Sequence, residues 1–229
     1  ENYGFAQGDV SDKVFVRQCL EKFQPDYIVH FAAETHVDRS IKSPIIFSQT
    51  NVLGTVCLLD ACCEHWLARG CPENFRFFHV STDEVFGSIE KPHRSFETDA
   101  YRPNSPYSAS KASSNHLVRA YHQTFGFPVL IGNASNTYGP FQHGEKLIPM
   151  ILENAWNLSP ITIYGDGQNV RDWLFVDDHI EAIFRVIETG RVGSAYNIGS
   201  DHEYTNNQIV ALVCDILMIE RPNLGNCLD

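Results

Sequence analysis

The sequence predicts an α/β fold built on a doubly wound parallel sheet, and three observations point there. From Phe5 to Ile131 strand-like and helix-like stretches alternate as β-α-β-α-β-α-β, the order that right-handed crossovers between parallel strands require. Tyr27-Ile-Val-His-Phe31 is a continuous apolar run, the pattern of a strand buried on both faces of such a sheet. The helical stretches stop at Pro25, at Gly70 with Pro72 beyond, and at Gly126-Phe-Pro128. With 229 residues, 43% hydrophobic and 20% charged, the chain can bury a substantial core as one large α/β domain or two small lobes.

Phe5-Ala-Gln-Gly-Asp9 reads as the first strand, ending in a turn. Ser11 or Asp12 can cap the next helix, whose Val14, Val16, Cys19, Leu20 and Phe23 favour a buried face. After Tyr27–Phe31, Ala32 and Ala33 keep the strand exit narrow, so that a flat ligand can approach the backbone. From about Thr50 to Arg69, Val52, Val56, Leu59, Cys63 and Trp66 recur at helical spacing. Phe75-Arg-Phe-Phe-His-Val80 is a strand of β-favouring residues, and Ser81-Thr82-Asp83-Glu84 sits where it passes into a loop. A helix from Tyr107 to Phe125 and the strand Val129-Leu-Ile131 follow. Beyond Pro140 the pattern loosens into a helix from about Lys146 to Trp156, a strand Ile161-Thr-Ile-Tyr164 and a helix from Asp177 to Glu188. Thr205-Asn-Asn-Gln208 is a capping box before a last helix. Residues 1–139 are expected to form the sheet domain and 140–229 a smaller, interleaved substrate lobe, with residues near 170–190 returning to the first. Gly165-Asp-Gly167-Gln-Asn-Val170 resembles a phosphate loop following the strand at 161–164, but Val170 stands where a third glycine belongs and no helix opens there. It is read as a turn.

A net charge of -11 and a pI near 5.3 exclude general affinity for nucleic acid or acidic membrane, which need a basic field. No apolar run approaches the roughly 20 residues of a bilayer span, and Glu1-Asn-Tyr-Gly-Phe is no secretory signal. A soluble cytoplasmic protein is the expectation. Cys19, Cys57, Cys62, Cys63, Cys71, Cys214 and Cys227 contain no Cys-x-x-Cys and read as reduced thiols. The ten histidines form no metal-ligand cluster, so no metal site is expected, and His36, His143 and His179 read as structural or surface residues.

The chemistry is concentrated in Ser81-Thr82-Asp83-Glu84-Val85-Phe86 and Tyr107-Ser-Ala-Ser-Lys111. Spaced i and i+4 on a helix, Tyr107 and Lys111 share one face, and the ammonium is expected to lower the phenol's pKa and make Tyr107 a general base. The alternative is a tyrosine capping the helix and a solvated lysine. Asp83 and Glu84, adjacent at the carboxyl end of a strand, invite unequal pKa values, one carboxyl protonated to donate and the other ionised to accept. The alternative is a solvated acidic loop. Together the two motifs can oxidise a sugar and then eliminate water.

With Phe31-Ala-Ala-Glu-Thr-His-Val-Asp-Arg-Ser40, Ser-Thr-Asp-Glu-Val-Phe-Gly87, Tyr-Ser-Ala-Ser-Lys-Ala-Ser-Ser114, Ser135-Asn-Thr-Tyr-Gly-Pro140 and Arg171-Asp-Trp-Leu-Phe-Val-Asp-Asp178 in order, nearly the whole chain resembles the dTDP-glucose 4,6-dehydratases, a family of the extended short-chain dehydrogenases. The resemblance implies a Rossmann-like sheet lacking its first strand and Gly-rich loop, a polypeptide truncated at both ends, and poor NAD binding by this stretch alone. Thr35 stands where the family usually has serine, and Thr137 where a second asparagine is usual.

By resemblance, Tyr107 takes the proton from the glucose 4-hydroxyl as hydride passes to NAD, Lys111 stabilises the tyrosinate and Thr82 orients the sugar. Glu84 then removes the C5 proton, protonated Asp83 serves the departing 6-hydroxyl, and hydride returns to C6. Asp9, Val10, Ala32, Ala33, Thr50 and Thr137, with Tyr107 and Lys111, are implied at the cofactor. Thr35, Thr82, Asn136, Lys146, Leu147, Thr162, Tyr164, Arg171 and Asn197 are implied at the substrate, with Arg171 gripping the diphosphate through paired bonds. A homodimer is implied, through the helices around 50–69 and 107–125. The competing readings are another sugar-nucleotide enzyme of the superfamily (a UDP-sugar 4,6-dehydratase, a 4-epimerase or a decarboxylase), the last two having no need of Asp83 and Glu84, and a non-catalytic cofactor-binding scaffold.

Overall fold

A computed structural model describes residues 3–90, 92–163 and 165–221. The chain divides into two compact units, one of Glu1–Ala134 with Ala182–Ile198 and one of Ser135–Glu181 with Gly199–Asp229. The first division thus falls at 134/135, against the expected 139/140, and the returning segment is 182–198.

In the first unit α1 (Lys13–Phe23) starts at Asp12, whose carboxylate accepts the Val14 and Phe15 amides, and ends at Gln24 in a left-handed conformation. Then come β1 (Tyr27–His30), α2 (Val37–Lys42), α3 (Pro44–Phe47), a π-helical stretch Ser48–Gly54, and α4 (Thr55–Ala68). They lead to β2 (Arg76–Thr82), α5 (Pro106–Phe125) and β3 (Val129–Ala134), and the sheet is completed by β6 (Ala195–Ile198). Its order is β1-β2-β3-β6, all neighbours parallel. Val16, Leu20, Leu59, Cys62, Trp66, Phe75, Phe77, Phe127 and Val129 form one core cluster between this sheet and its helices. Burying so many large apolar side chains, at about 1.5–3 kcal/mol each, is what holds α1, α4 and α5 on the sheet.

Four expectations fail here. Residues 3–9 form no strand: the segment runs alongside α1, with Gly4 against the Phe23 ring and Gly8 against the Phe15 ring, and finds no ladder. Without that neighbour β1 is the edge of the described sheet, so Tyr27 and Phe31 are exposed rather than buried on both faces. Val14 and Phe23 are exposed too, leaving Val16 and Leu20 as the buried positions of α1. Finally, Pro44–Ala68 is a continuous helix of 25 residues, long and apolar enough by composition to cross a membrane, contrary to the reading that no run approaches that length. The polar residues 48–51 interrupt the apolar run in the sequence without ending the helix, and Asn51, Thr55, Leu59, Cys62, Cys63 and Trp66 are buried within the unit.

The second unit holds β4 (Asn136–Tyr138), α6 (Leu147–Trp156), β5 (Val170–Phe175), β7 (Glu203–Thr205) and α8 (Asn206–Glu220), while α7 (Val176–Thr189) runs from this unit into the first. Its sheet, ordered β4-β5-β7, pairs β4 with β5 in parallel and β5 with β7 antiparallel. Ile151, Trp173, Ile209, Val210 and Cys214 form its core. Thr205 and Gln208 make the expected capping box. Residues 161–163 form no strand: Ile161 and Ile163 pack on the core cluster without a ladder, and Tyr164 lies outside the described residues. Gly165 and Gly167 turn with φ of 65° and 69°, as a turn in place of a phosphate loop requires. Cys19, Cys57, Cys62, Cys63, Cys71 and Cys214 are free thiols, and Cys227 lies outside the described residues.

Candidate active site

The site in the first unit is built on the carboxyl ends of β2 and β3, where Ser81 pairs with Asn133 and Thr82 with Ala134. The strand runs through Thr82 and passes directly into a 3₁₀ turn, Asp83–Phe86. The Thr82 hydroxyl caps that turn, accepting the Glu84 amide at 3.2 Å and reaching Asp83 Oδ1 at 3.2 Å. Val85 and Phe86 are buried with Ala112, and Tyr101 packs on them with its ring 5.3 Å from that of Phe86. These apolar anchors fix the turn and leave Asp83 and Glu84 half-buried. Gly87 ends the turn at φ 81°, where a Cβ would lie 2.1 Å from the Arg102 carbonyl, so a side chain there is excluded twice over.

Tyr107 and Lys111 are held by α5, which Ser105 starts: its hydroxyl accepts the Ser108 amide at 3.0 Å, and Ser108 Oγ accepts the Ser105 amide in return. Ser105, not Tyr107, is the cap. Both side chains are buried on the face toward the sheet. Lys111 Nζ donates to the Val80 carbonyl at 2.7 Å, and burial lowers its pKa to about 8. The phenol does not follow the expectation. Burial and then the negative charges of Glu84 and Asp83 push its pKa up, while a hydrogen bond from the Thr82 hydroxyl pulls the other way. The lysine's direct partner is a strand carbonyl, and the carboxylates are the charges the phenol feels. Beside them His30 (pKa about 3) and the fully buried His79 are kept neutral by burial first and by Lys111 second.

Of the other positions in this unit, Ala32 is exposed and Ala33 half-buried, just past the end of β1. Val10 lies against Gly54, where an added Cβ would meet Val10 Cγ2 at 3.0 Å, so 9–10 run beside the π-helical stretch that carries half-buried Thr50. The Asp9 carboxylate accepts the Ser11 amide at 2.8 Å and hydroxyl at 2.7 Å, which lower its pKa. Thr35 is exposed. Asn197 on β6 has its amide engaged, donating to the Ser95 carbonyl at 3.1 Å.

Sequence reasoning missed Asn51. Buried in the π-helical stretch, it accepts the Glu34 amide at 2.8 Å and donates to the Glu34 carbonyl at 3.0 Å and to Ser110 Oγ at 2.8 Å. It ties the segment after β1 to the helix of Tyr107 and Lys111. An asparagine inside an apolar helical stripe was the available signal.

In the second unit Asn136 and Thr137 lie on β4, half-buried, and Thr137 Oγ1 is 2.9 Å from Nδ1 of buried His179. Lys146 precedes α6 as its N-cap and Leu147 opens it. Thr162 is exposed. Arg171 pairs with Tyr204 in the β5–β7 ladder, and its Nη1 donates to the Val170 carbonyl at 3.0 Å. Asp172 accepts the Ser200 amide (2.8 Å) and hydroxyl (2.7 Å) and the His202 amide (2.8 Å), clamping residues 200–202 to β5. His36 caps α2, and His143 is exposed.

Residues 1–222 match the family model of GDP-mannose 4,6 dehydratase. The chain belongs to that family. Among its relatives, the dTDP-glucose 4,6-dehydratase of Xanthomonas campestris pv. campestris is 51% identical over 222 residues, covering 95% of this chain and 63% of the relative. The chain thus spans less than two thirds of that protein's length. DesIV, the dTDP-glucose 4,6-dehydratase of Streptomyces venezuelae solved with NAD bound, superposes with a TM-score of 0.85 at 44% identity, over 93% of this chain and 63% of that one. The UDP-glucose 4-epimerase of Thermus thermophilus, in complex with NAD, gives 0.83 at 28%, over 91% and 67%. The doubly wound parallel fold is therefore that of the family, shared between dehydratases and epimerases.

Proposed function

We propose that this chain carries the catalytic centre of a dTDP-glucose 4,6-dehydratase, converting dTDP-glucose to dTDP-4-keto-6-deoxyglucose and water. The observation that carries this reading is the Asp83–Glu84 pair, anchored on one turn at the end of β2 and electrostatically coupled to the Tyr107 phenol. An epimerase using tyrosine and lysine needs no such pair. The 51% identity to a dTDP-glucose 4,6-dehydratase supports the same choice.

The chain fits NAD at the end of β1, where Ala32 and Ala33 leave the backbone open and Val10 and the Thr50 helix close in beside each other. Asp9, Val10, Ala32, Ala33 and Thr50 would hold it, with Tyr107, Lys111 and Thr137. When bound, NAD would supply the hydride acceptor for C4 and the donor for C6. Tyr107 removes the 4-hydroxyl proton; Thr82, already bonded to the phenol, orients the sugar and favours the phenolate. The 4-ketone acidifies the C5 proton, which Glu84 takes, and a protonated Asp83 gives its proton to the leaving 6-hydroxyl. Protonation of Asp83 also removes one of the charges that hold the phenol's pKa up. Thr35, Asn136, Lys146, Leu147, Thr162, Tyr164, Arg171 and Asn197 would serve the substrate, Arg171 at the diphosphate. The working protein is a cytoplasmic homodimer in this reading, and exposed Leu53, Leu67 and Phe125 on the two long helices suit such an interface.

Glu84→Gln tests the assignment. Rapid mixing with dTDP-glucose should show C4 oxidation, seen as reduced-nicotinamide absorbance, with product formation lost; full dehydration by the variant would remove Glu84 from its role.

A further inference from the structure

Tyr107, Lys111 and Asn115 follow one another at four-residue spacing on the buried face of α5. Asn115 is 1% exposed and donates two bonds, to the Tyr101 hydroxyl at 3.1 Å and to Asn133 Oδ1 at 3.0 Å. Asn133, also 1% exposed, stands on β3 opposite Asn197 of β6 and donates to Asn197 Oδ1 at 3.2 Å. The row ends outside the sheet, where the Asn197 side chain donates to the Ser95 carbonyl and its backbone amide donates to Glu97 Oε1 at 3.0 Å. Three asparagines therefore run from the helix of the proposed base, across two strands, to the segment 95–101. That segment is fastened again at its other end. The Tyr101 ring packs 5.3 Å from both Phe86 and His116, and the Arg102 amide donates to the Val85 carbonyl at 2.9 Å.

A buried amide costs stability unless it is bonded, and apolar residues could fill the same space without that demand. What the asparagines add is direction: each bond fixes one side chain relative to the next. Both ends of the circuit reach the machinery, at α5 through Asn115 and at the Asp83–Phe86 turn through Tyr101 and Arg102. We infer that Tyr101, Asn115, Asn133 and Asn197 form a positioning network that sets the carboxylate turn against α5, and so governs elimination more than oxidation. Oxidation relies on Tyr107, held by its burial, on Lys111, held by the Val80 carbonyl, and on Thr82, held as the last residue of β2 by its ladder pairing with Ala134. Elimination needs Asp83 and Glu84 to face two different substrate atoms at once. That demand is sensitive to small rotations of the turn.

The inference rests on the dehydratase reading. Its test is Tyr101→Phe, which keeps the ring against Phe86 and deletes the hydroxyl, studied in the NAD-loaded protein by rapid mixing with dTDP-glucose. Reduced-nicotinamide absorbance should rise at close to the unsubstituted rate while the keto product appears about tenfold more slowly, as loss of one net hydrogen bond allows, so that the reduced form accumulates. Glu97→Ala, which frees the exposed end of the row at the Asn197 amide, should fold normally and give the same split at about threefold. A merely structural role would lower both rates together with the active fraction. Equal losses in the two steps, or no change in either, would overturn the network while leaving the activity intact. Absence of dehydration by the unsubstituted protein would overturn the proposed activity and the network's catalytic role with it.

Discussion

Replacing Lys111 by methionine should make the protein more stable while abolishing turnover. The Lys111 ammonium is buried, and its pKa falls from 10.5 to about 8 because burial disfavours the charged form. A depression of that size corresponds to about 3 kcal/mol of unfavourable free energy in the folded state at pH 7. Losing the bond to the Val80 carbonyl returns about 1 kcal/mol of this. The net gain for Lys111→Met is then about 2 kcal/mol, or roughly 4–8 °C in Tm for a chain of this size. The pH dependence follows from the direction of the shift. Below about pH 8 both folded and unfolded lysine are protonated and the penalty is fully present. Between about 8 and 10.5 the unfolded chain binds more protons than the folded one, so the stability of the unsubstituted protein rises with pH and the variant's advantage shrinks. Urea denaturation at pH 7 and pH 10 measures both quantities. A variant less stable than its parent at pH 7, or an advantage that does not change between the two pH values, would refute this account of the buried lysine.

Three further outcomes follow from the same geometry. Thr82→Val removes the cap of the carboxylate turn and the hydroxyl that favours the phenolate, so kcat should fall at least about tenfold in steady-state assays with dTDP-glucose. Asp172→Ala deletes the acceptor of three bonds and should cost about 2–3 kcal/mol in chemical denaturation. Burial pushes the Asp172 pKa up, but the Ser200 and His202 bonds outweigh it and leave the value lowered, so its contribution is present above the unfolded carboxylate pKa and fades as pH falls through the folded one. Arg171→Lys should raise KM for the nucleotide sugar about tenfold with kcat nearly unchanged, since an ammonium cannot reproduce a forked grip on a diphosphate.

The parts of the fold that were legible are those where local chemistry and tertiary packing agree. Phe75–Val80 and Val129–Ile131 are apolar enough to be central strands and are, and the Thr205–Gln208 box starts α8. Residues 5–9 offer only Phe5 as a β-favouring residue, and residues 161–163 are β-favouring throughout, but a strand is made by a ladder partner, which no single segment encodes; Gly8 lies on a ring instead, and Ile161 and Ile163 go to the core. The site was legible as a set of residue types at fixed spacing, and the five residues Thr82, Asp83, Glu84, Tyr107 and Lys111 do gather in one unit. Their electrostatics were not. Helical spacing places Lys111 a turn from Tyr107, yet the ammonium's bond to Val80 and the carboxylate charges acting on the phenol arise from β2 and the turn that follows it, which are distant in sequence. The asparagines at 51, 115, 133 and 197 look ordinary one at a time, and their bonds exist only once α5, β3 and β6 are side by side.

The most direct test of the proposed chemistry is the mass of the product formed from dTDP-glucose in deuterated water by the NAD-loaded protein. Loss of one water with one deuterium retained at C5 is the predicted result, because Glu84 exchanges the proton it removes before one is returned. An unchanged mass with inversion at C4 would contradict the account and make the chain an epimerase whose paired carboxylates serve some other end.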